Sequence, residues 1–390
     1  MKFSHFLTSK KMSAVAFFAV FLLFLNANAR QHESEGAEDS SAVMRAETGH
    51  AQEKDEGKFE INNFIFHHIG DAHEFHFWGE GENWTGLHLP IILYTDKGLV
   101  TFNSKAFALD NDGTKVVEKG GMRFVRAHGK IYYAADAAEH GSYVHHEKNE
   151  KGEEVILNKK PLDFSITKNV FTIFFSVILL LVIFLSVAKS YKRREGKAPK
   201  GLQSFLEPII LFVRDDIAKP NLGHKYERYM PYLLTVFFFI WLNNMLGLVP
   251  FFPGGANVTG NIAVTMVLAI VTLVIILFSG NKYYWGHIFN PPVPWWLKPL
   301  MIPVEIIGIF TKPFALMIRL FANITAGHIL VLSLLCLVFI FNSLAIAPAS
   351  VFFVIFISTI ELLVAFIQAF IFTILSALFI GMAIEEHADH

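Results

Sequence analysis

From residue 170 onward the chain is written in long apolar runs separated by short polar connections. The first run, VFTIFFSVILLLVIFLSVA (170–188), is long enough to cross a bilayer, which takes about 20 residues of helix. Lys189, Lys192, Arg193, Arg194, Lys197 and Lys200 follow it directly, and such a basic cluster places its far end in the cytoplasm. The next stretch, LQSFLEPIILFVRDDIAKPNLG, mixes apolar residues with Glu207, Arg214, Asp215, Asp216 and Lys219, which predicts an amphipathic helix lying on the inner surface. Two more spans follow, YLLTVFFFIWLNNMLGLVPFF and IAVTMVLAIVTLVIILFSG. The loop between them, PGGANVTG, has no Lys or Arg and belongs outside. The loop after them, NKYYWGHIFNPPVPWWLKP, carries Lys282, Lys298 and interfacial aromatics and belongs inside. Two final segments, 300–342 and 350–384, exceed what a perpendicular span needs, so they must be tilted or bent. The pattern therefore predicts a mainly α, polytopic membrane protein with five crossings, starting outside and ending inside.

The N-terminal part is patterned differently. Residues 1–29 have basic Lys2, Lys10 and Lys11, an apolar stretch AVAFFAVFLLFL and a small-residue end ANA, the layout of a secretory signal. An uncleaved anchor is the alternative, although the apolar stretch is short for a span. Residues 30–165 form an acidic leader and then a strand-rich region. LPIILYTDKGLVTFNS and MRFVRAHGKIYYAAD each predict a hairpin, turning at Asp96-Lys97-Gly98 and at His128-Gly129-Lys130. The expected domains are a signal (1–29), a small β-rich extracytoplasmic domain (30–165) and a membrane domain (166–390).

Composition agrees with the pattern: 53% of residues are hydrophobic and 40 are Phe, above the roughly 45–50% apolar share of a soluble domain. A net charge of −1 removes any reason to expect a nucleic-acid partner. Cys336, the single cysteine, lies in an apolar run, so no disulfide framework or thiolate metal site is expected. Histidines are concentrated before the first span, among them His67, His68, His73, His76, His88, His145 and His146. Without a fixed Cys/His framework they read as solvated surface residues rather than a metal site, and no cofactor is expected.

The chemistry lies in polar residues set into the last two spans. Projected on a helix, Glu305, Lys312, Arg319 and Asn323 fall within about 40° of one another and form one stripe. Glu361 and Gln368, seven residues apart, share a face of the last helix. If the two helices pack antiparallel with Arg319 opposite Gln368, His328 and Glu361 arrive at nearly the same depth, about 10–13 Å outward. His328 and Glu361 are suited to passing protons, with Asn323 and Gln368 ordering water between them. Arg319 stays protonated at any accessible pH and acts instead as a fixed positive barrier. With no acid at its own level in this chain, its partner must come from another subunit. Glu305 and Lys312 are placed to line a second path on the inner side.

These residues carry a resemblance. RLFANITAGH followed by ELLVAFIQAFIFTILSALFIGMAIEEH, supported by KPFALMIRL, PVEIIG and EPIILFVRDDIAKPNLG, resembles the a subunit of the membrane sector of F-type ATP synthases. The resemblance spans about 200–387 and leaves out the β-rich region. It implies a non-catalytic stator subunit of the bacterial inner membrane, packed against a ring of c subunits and against b subunits of the peripheral stalk, with the soluble ATPase sector attached through the complex. It further implies two offset half-channels. Arg319 matches the family's essential arginine, which meets the ring carboxylate; Asn323, His328, Glu361 and Gln368 match the outer half-channel, and Glu305 and Lys312 the inner one. Some members exchange the acid and the imidazole found here at His328 and Glu361, which keeps one of each at that depth. Asn261 and Ala263 stand where many members carry Asp and Asn, so the outer entrance is expected to be built differently, with the histidine-rich domain near its mouth. A self-contained multi-span ion or proton transporter is the competing reading, but it would show repeated halves, and none are evident. An intramembrane enzyme is weaker still, since the spans hold no HExxH or GxSxG signature.

Overall fold

The structure is a computed structural model of the chain and describes residues 65, 69–78, 85–138, 141–148, 154–249, 254–341 and 343–385. The expected signal segment, the acidic leader, His67 and His68 lie outside the described residues.

Among the described residues ten short strands precede the long helices: β1 (Glu74–Trp78), β2 (Thr85–His88), β3 (Pro90–Thr95), β4 (Gly98–Asn103), β5 (Val117–Lys119), β6 (Met122–Ala127), β7 (Lys130–Tyr133), β8 (His146–Lys148), β9 (Glu154–Ile156) and β10 (Leu162–Asp163). They pair antiparallel in four small sheets, β1-β2, β10-β3-β4, β5-β6-β7 and β8-β9. Both predicted hairpins form. β3 and β4 turn at Asp96-Lys97, and β6 and β7 turn at His128-Gly129. His128 and Gly129 have φ of 50° and 75°, the two positive values that give a hairpin turn the twist of its strands. Strand β6 is buried on both faces because it divides two cores: Phe124 packs with Ile91, Leu93, Phe107 and Ile131, while its neighbour Val125 points the other way to Tyr132 and Val144. Arg126, on the Phe124 side, is buried in turn. Its guanidinium donates to Glu74 Oε1 at 2.8 Å and to the Asp110 carbonyl at 2.6 Å and lies over the Phe107 ring.

The β region is joined to the first long helix, α1 (Lys168–Arg193), through more than a peptide link. Main-chain bonds from Phe164 to Ile92 and from Ile166 to Pro90 extend the β10 register almost to the helix. Ala72 then accepts from the Lys168 amide and Asp71 Oδ1 from the Asn169 amide, while the Thr167 hydroxyl accepts from Val170 as an N-cap. Phe75 meets Phe171 edge to face. His73 Nε2 lies 3.4 Å from Asp163 Oδ2. Burial pushes the Asp71 carboxyl up; at Asp163 burial acts the same way but is outweighed by the hydrogen bond and charge of His73, so that carboxyl is held low.

The helices that follow are α2 (Leu202–Phe212), α3 (Tyr226–Leu248), α4 (Ile262–Ser279), α5 (Lys282–Phe289), α6 (Lys298–Ile340) and α7 (Ala347–Ile384). Among the described residues five helical stretches are long and apolar enough to cross a membrane, and the second, Leu202–Leu248, takes in the predicted surface helix together with α3. From α2 the chain runs through a π-helical turn, Val213–Ala218, and a short helical segment, Lys219–Leu222. As its amphipathic pattern predicts, this stretch buries Leu206, Ile210, Val213, Ile217 and Leu222 in the main core and exposes Leu202 and Phe205. Helices of 43 and 38 residues extend about 64 and 57 Å, roughly twice a hydrocarbon thickness, so α6 and α7 cannot stand upright in a bilayer.

Cross-contacts fix the ends of the bundle. Asn281, between α4 and α5, donates its backbone amide to Ala383 and its side chain to the Ile384 carbonyl, and Lys225 reaches Ile384 as well. These satisfy carbonyls that the end of α7 leaves free. The start of α3, the end of α4 and the end of α7 therefore share one end of the bundle. At the other end, Ile173 of α1 packs on Ala256, Val258 and Val264 beside the α3–α4 loop.

Gly381 lets the Lys219–Leu222 segment touch α7, because a Cβ there would collide with the Asn221 carbonyl. Gly381→Val is expected to cost about 1–3 kcal/mol, read as a lower unfolding temperature of the detergent-solubilised chain. Arg126→Ala, which strands Glu74 in a buried setting, is expected to cost about 3–5 kcal/mol and to raise hydrogen exchange across β1 and β6.

Candidate functional site

Three contacts set the register of α6 against α7. The Ser350 hydroxyl donates to the Leu334 carbonyl, His328 Nδ1 lies 3.8 Å from Glu361 Oε1, and Lys312 Nζ lies over the Phe379 ring at 5.7 Å. The residue numbers fall on one helix as they rise on the other, so the pair is antiparallel. This register brings Arg319 to within about one turn of Gln368 in height, with His328 and Glu361 about 13 Å toward the β-domain end.

The structure brings four of the seven candidates into two distinct settings. His328 and Glu361 meet in a small cavity with Asn244, Leu248, Asn323, Ile324, Val364 and Ala365. Its volume, about 20 Å³ for the centre of a water-sized sphere, holds one water. His328 and Glu361 keep 18% and 14% of their side-chain surface, so both are withdrawn from the medium yet reachable from the cavity. Asn323 lines the cavity and is exposed on its other side. Arg319, half a helical turn round from His328, is exposed on the flank of the bundle and has no hydrogen bond or ion pair among the described residues. Gln368 is buried. Lys312 and Glu305 are half-buried toward the far end of α6. Glu305 stands near Tyr284 of α5, whose phenol is pushed up by burial first and by that carboxylate second.

Two features escaped the sequence reading. Gly327 has no Cβ where the Glu361 carboxylate comes to rest; a side chain at 327 would occupy that space and push Glu361 away from His328. Asn244 is clamped from both sides, donating to the Ala365 carbonyl at 3.2 Å and accepting from the Thr259 hydroxyl at 2.5 Å. Thr325 of α6 in turn donates to the Gly260 carbonyl. The α3–α4 loop thereby braces Asn244, a lining residue of the cavity, and is itself tied to α6. The adjacent amides Asn243-Asn244 inside an apolar run were the available signal.

The arrangement can do two things. A paired imidazole and carboxylate beside a water-sized cavity can take up and release a proton. An exposed guanidinium in an apolar surface cannot release one, and it attracts a carboxylate from outside the chain. No pair of carboxylates, nucleophile and base, or cofactor cradle accompanies them among the described residues.

Comparison with known proteins converges on the same region. The family model for the ATP synthase A chain matches residues 170–381, and a family described as Domain of unknown function (DUF8433) matches residues 64–164. ATP synthase subunit a of Chloroherpeton thalassium is 49% identical over 236 residues, 58% of this chain and 69% of that protein. ATP synthase subunit a of Chlorobium phaeobacteroides is 50% identical over 238 residues, covering 58% and 68%. Its counterpart from Myxococcus xanthus is 45% identical over 252 residues, covering 62% and 81%. With a family model matched over more than half its length and relatives near 50% identity, the chain belongs to the ATP synthase A chain family.

Proposed function

We propose that this chain is the proton-channel stator subunit of an F-type ATP synthase, and that the polar residues of α6 and α7 divide its labour between barrier and relay. The carrying observation is the contrast between Arg319 and His328. On one helix, half a turn apart in azimuth, the permanent charge is exposed and unpartnered among the described residues while the titratable imidazole is paired and set in a cavity.

A charged side chain at the bilayer centre costs at least about 2.5–3.5 kcal/mol, so an unpaired arginine there implies a partner. A carboxylate carried by a neighbouring c-ring subunit is that partner. Each ring carboxylate loses its proton as it meets Arg319 and regains one on the far side, and the fixed charge keeps the two aqueous paths from joining. His328 and Glu361, with Asn323 and Gln368, form the outer path; Glu305 and Lys312 line the inner one. The chain performs no bond-making chemistry of its own in this reading, and its other neighbours are the b subunits and, through the complex, the soluble ATPase sector. The basic cluster Lys189–Lys200 supports a bacterial inner-membrane orientation with the C-terminus in the cytoplasm and the 30–165 domain outside.

Arg319→Ala in the assembled complex is expected to abolish ATP-driven acidification of membrane vesicles; retained coupled pumping would refute its role. Gly327→Ala is expected to leave the complex assembled but to lower proton pumping about tenfold, because the new methyl group displaces the carboxylate that His328 faces. ATP synthesis driven by a pH gradient in sodium-free medium tests the coupling ion, and an absolute requirement for sodium would contradict proton coupling.

A further inference from the structure

Helix α1 lies outside the site described so far, yet its inward face is split. Over its first turns the buried positions are Lys168, Asn169, Val170, Thr172 and Ser176, and the polar Asn169, Thr172 and Ser176 are the most deeply buried, at most 2% exposed. Deeper along the same helix the inward residues are Leu180, Ile183, Phe184 and Val187, which pack into the main apolar core. The polar portion extends about 12 Å from Lys168. A helix that packs only against apolar neighbours gains nothing from a buried amide and a buried hydroxyl there; each polar group needs a hydrogen-bond partner.

Ser176 meets this need locally, its hydroxyl donating to the Ile173 carbonyl, but the other two positions each leave an atom without a partner among the described residues. Asn169 Oδ1 and Thr172 Oγ1 are fully buried without one, and so are His73 Nδ1 and Glu74 Oε2 in the β region directly above. Two more such atoms continue the series toward the channel: Asn257 Nδ2 in the α3–α4 loop and Asn243 Oδ1 on α3. Ile173, the neighbour of Thr172, packs against the loop residues on either side of Asn257, and so does Phe239, whose carbonyl accepts from Asn243. Asn244, next to Asn243, lines the cavity of His328 and Glu361. By their place in the fold, these buried polar atoms lie at the base of the β domain, on the outer part of α1, in the α3–α4 loop and on α3 next to Asn244.

We propose that this series is a hydrated seam, and that protons enter the outer half-channel along it from beneath the extracytoplasmic domain rather than straight down between α3 and α6. Water is the ligand class the atoms select: small, able both to donate and to accept, and needed by a carbonyl oxygen, an amide nitrogen, a hydroxyl, an imidazole and a carboxylate alike. The apolar face that begins at Leu180 closes the seam at depth. The clamp between domain and helix at Asp71, Ala72 and Phe75 holds His73 and Glu74 over its mouth. The proposal rests on the reading of His328 and Glu361 as the outer half-channel.

The test uses the assembled complex in membranes with Cys336→Ser as background. Thr172→Cys and Asn257→Cys each place a thiol in the seam, and Ile178→Cys places one on the outward, lipid-facing side of α1. Silver ion, a small cation that binds thiolates in water, is expected to slow ATP synthesis about tenfold in the first two variants and to leave Ile178→Cys unaffected. Without silver, Thr172→Val is expected to slow synthesis about fivefold and Thr172→Ser to restore it, as loss and recovery of one water-bonding hydroxyl require. Silver insensitivity of both seam thiols, or full activity of Thr172→Val, overturns the seam. Glu361→Gln reports separately on the half-channel. If it abolishes coupling while the seam variants behave as wild type, only the entry route is wrong; if it leaves coupling intact, the underlying reading falls instead.

Discussion

Hydrocarbon offers no hydrogen bonds, so every polar atom placed at membrane depth must find its partner in protein, in enclosed water or in a neighbouring chain. The arrangement of α3, α4, α6 and α7 follows from which of these three each polar group uses. Asn244 uses protein, between the Thr259 hydroxyl and the Ala365 carbonyl. His328 and Glu361 use each other and a cavity that holds one water. Arg319 uses neither and remains exposed, which is why the stator reading needs a second subunit. Thr235, Thr311, Ser333, Thr359 and Thr373 follow a fourth, local solution, donating back to the carbonyl four residues earlier.

Close approach is the second constraint, and it is met by removing side chains. A carboxylate is longer than the gap between two packed helices permits unless one of them yields space, and Gly327 yields it at the one height where Glu361 must reach His328. Gly381 does the same for backbone, admitting the Asn221 carbonyl against α7 near its capped end. With α7 given room at both heights, the polar contacts that set its register against α6 can form without pushing the helices apart.

Much of this was legible in the residues. Runs of apolar sequence and the asymmetric placement of Lys and Arg were enough for five crossings, because a bilayer imposes length and charge rules that hold for any fold. Once the last two helices were taken as antiparallel with Arg319 opposite Gln368, helical rise put His328 and Glu361 at one depth. Both hairpins of the β domain were visible in their turn residues. What could not be read was anything depending on a gap between elements: the need for glycine at 327, the clamp on Asn244, and the tie of the 254–261 loop to α3 and α6. Nor did the amphipathic pattern at 202–222 reveal the π-helical turn at Val213–Ala218 or the tight turn at Gly223–Lys225 that leads into α3. Periodicity reports which face a residue is on, not what stands opposite it.

The two ends of the membrane domain are closed by different means, and the difference bears on how protons reach it. At the α7 terminus, side chains of Asn281 and Lys225 bond the last carbonyls, so that end is tied by neutral and cationic donors. At the β-domain end the tie includes Asp71 and Asp163, both partly buried, with buried His73 between the strands and the helix. Burying carboxylates and an imidazole is a costly way to fasten a domain, since replacing such groups by well-packed apolar residues is often neutral or stabilising. A purely mechanical joint would gain from the edge-to-face contact of Phe75 and Phe171 and need none of the acids. Titratable groups at this joint, directly above a helix whose buried side is polar close to the joint and apolar further along, make sense where the joint is also a path for protons.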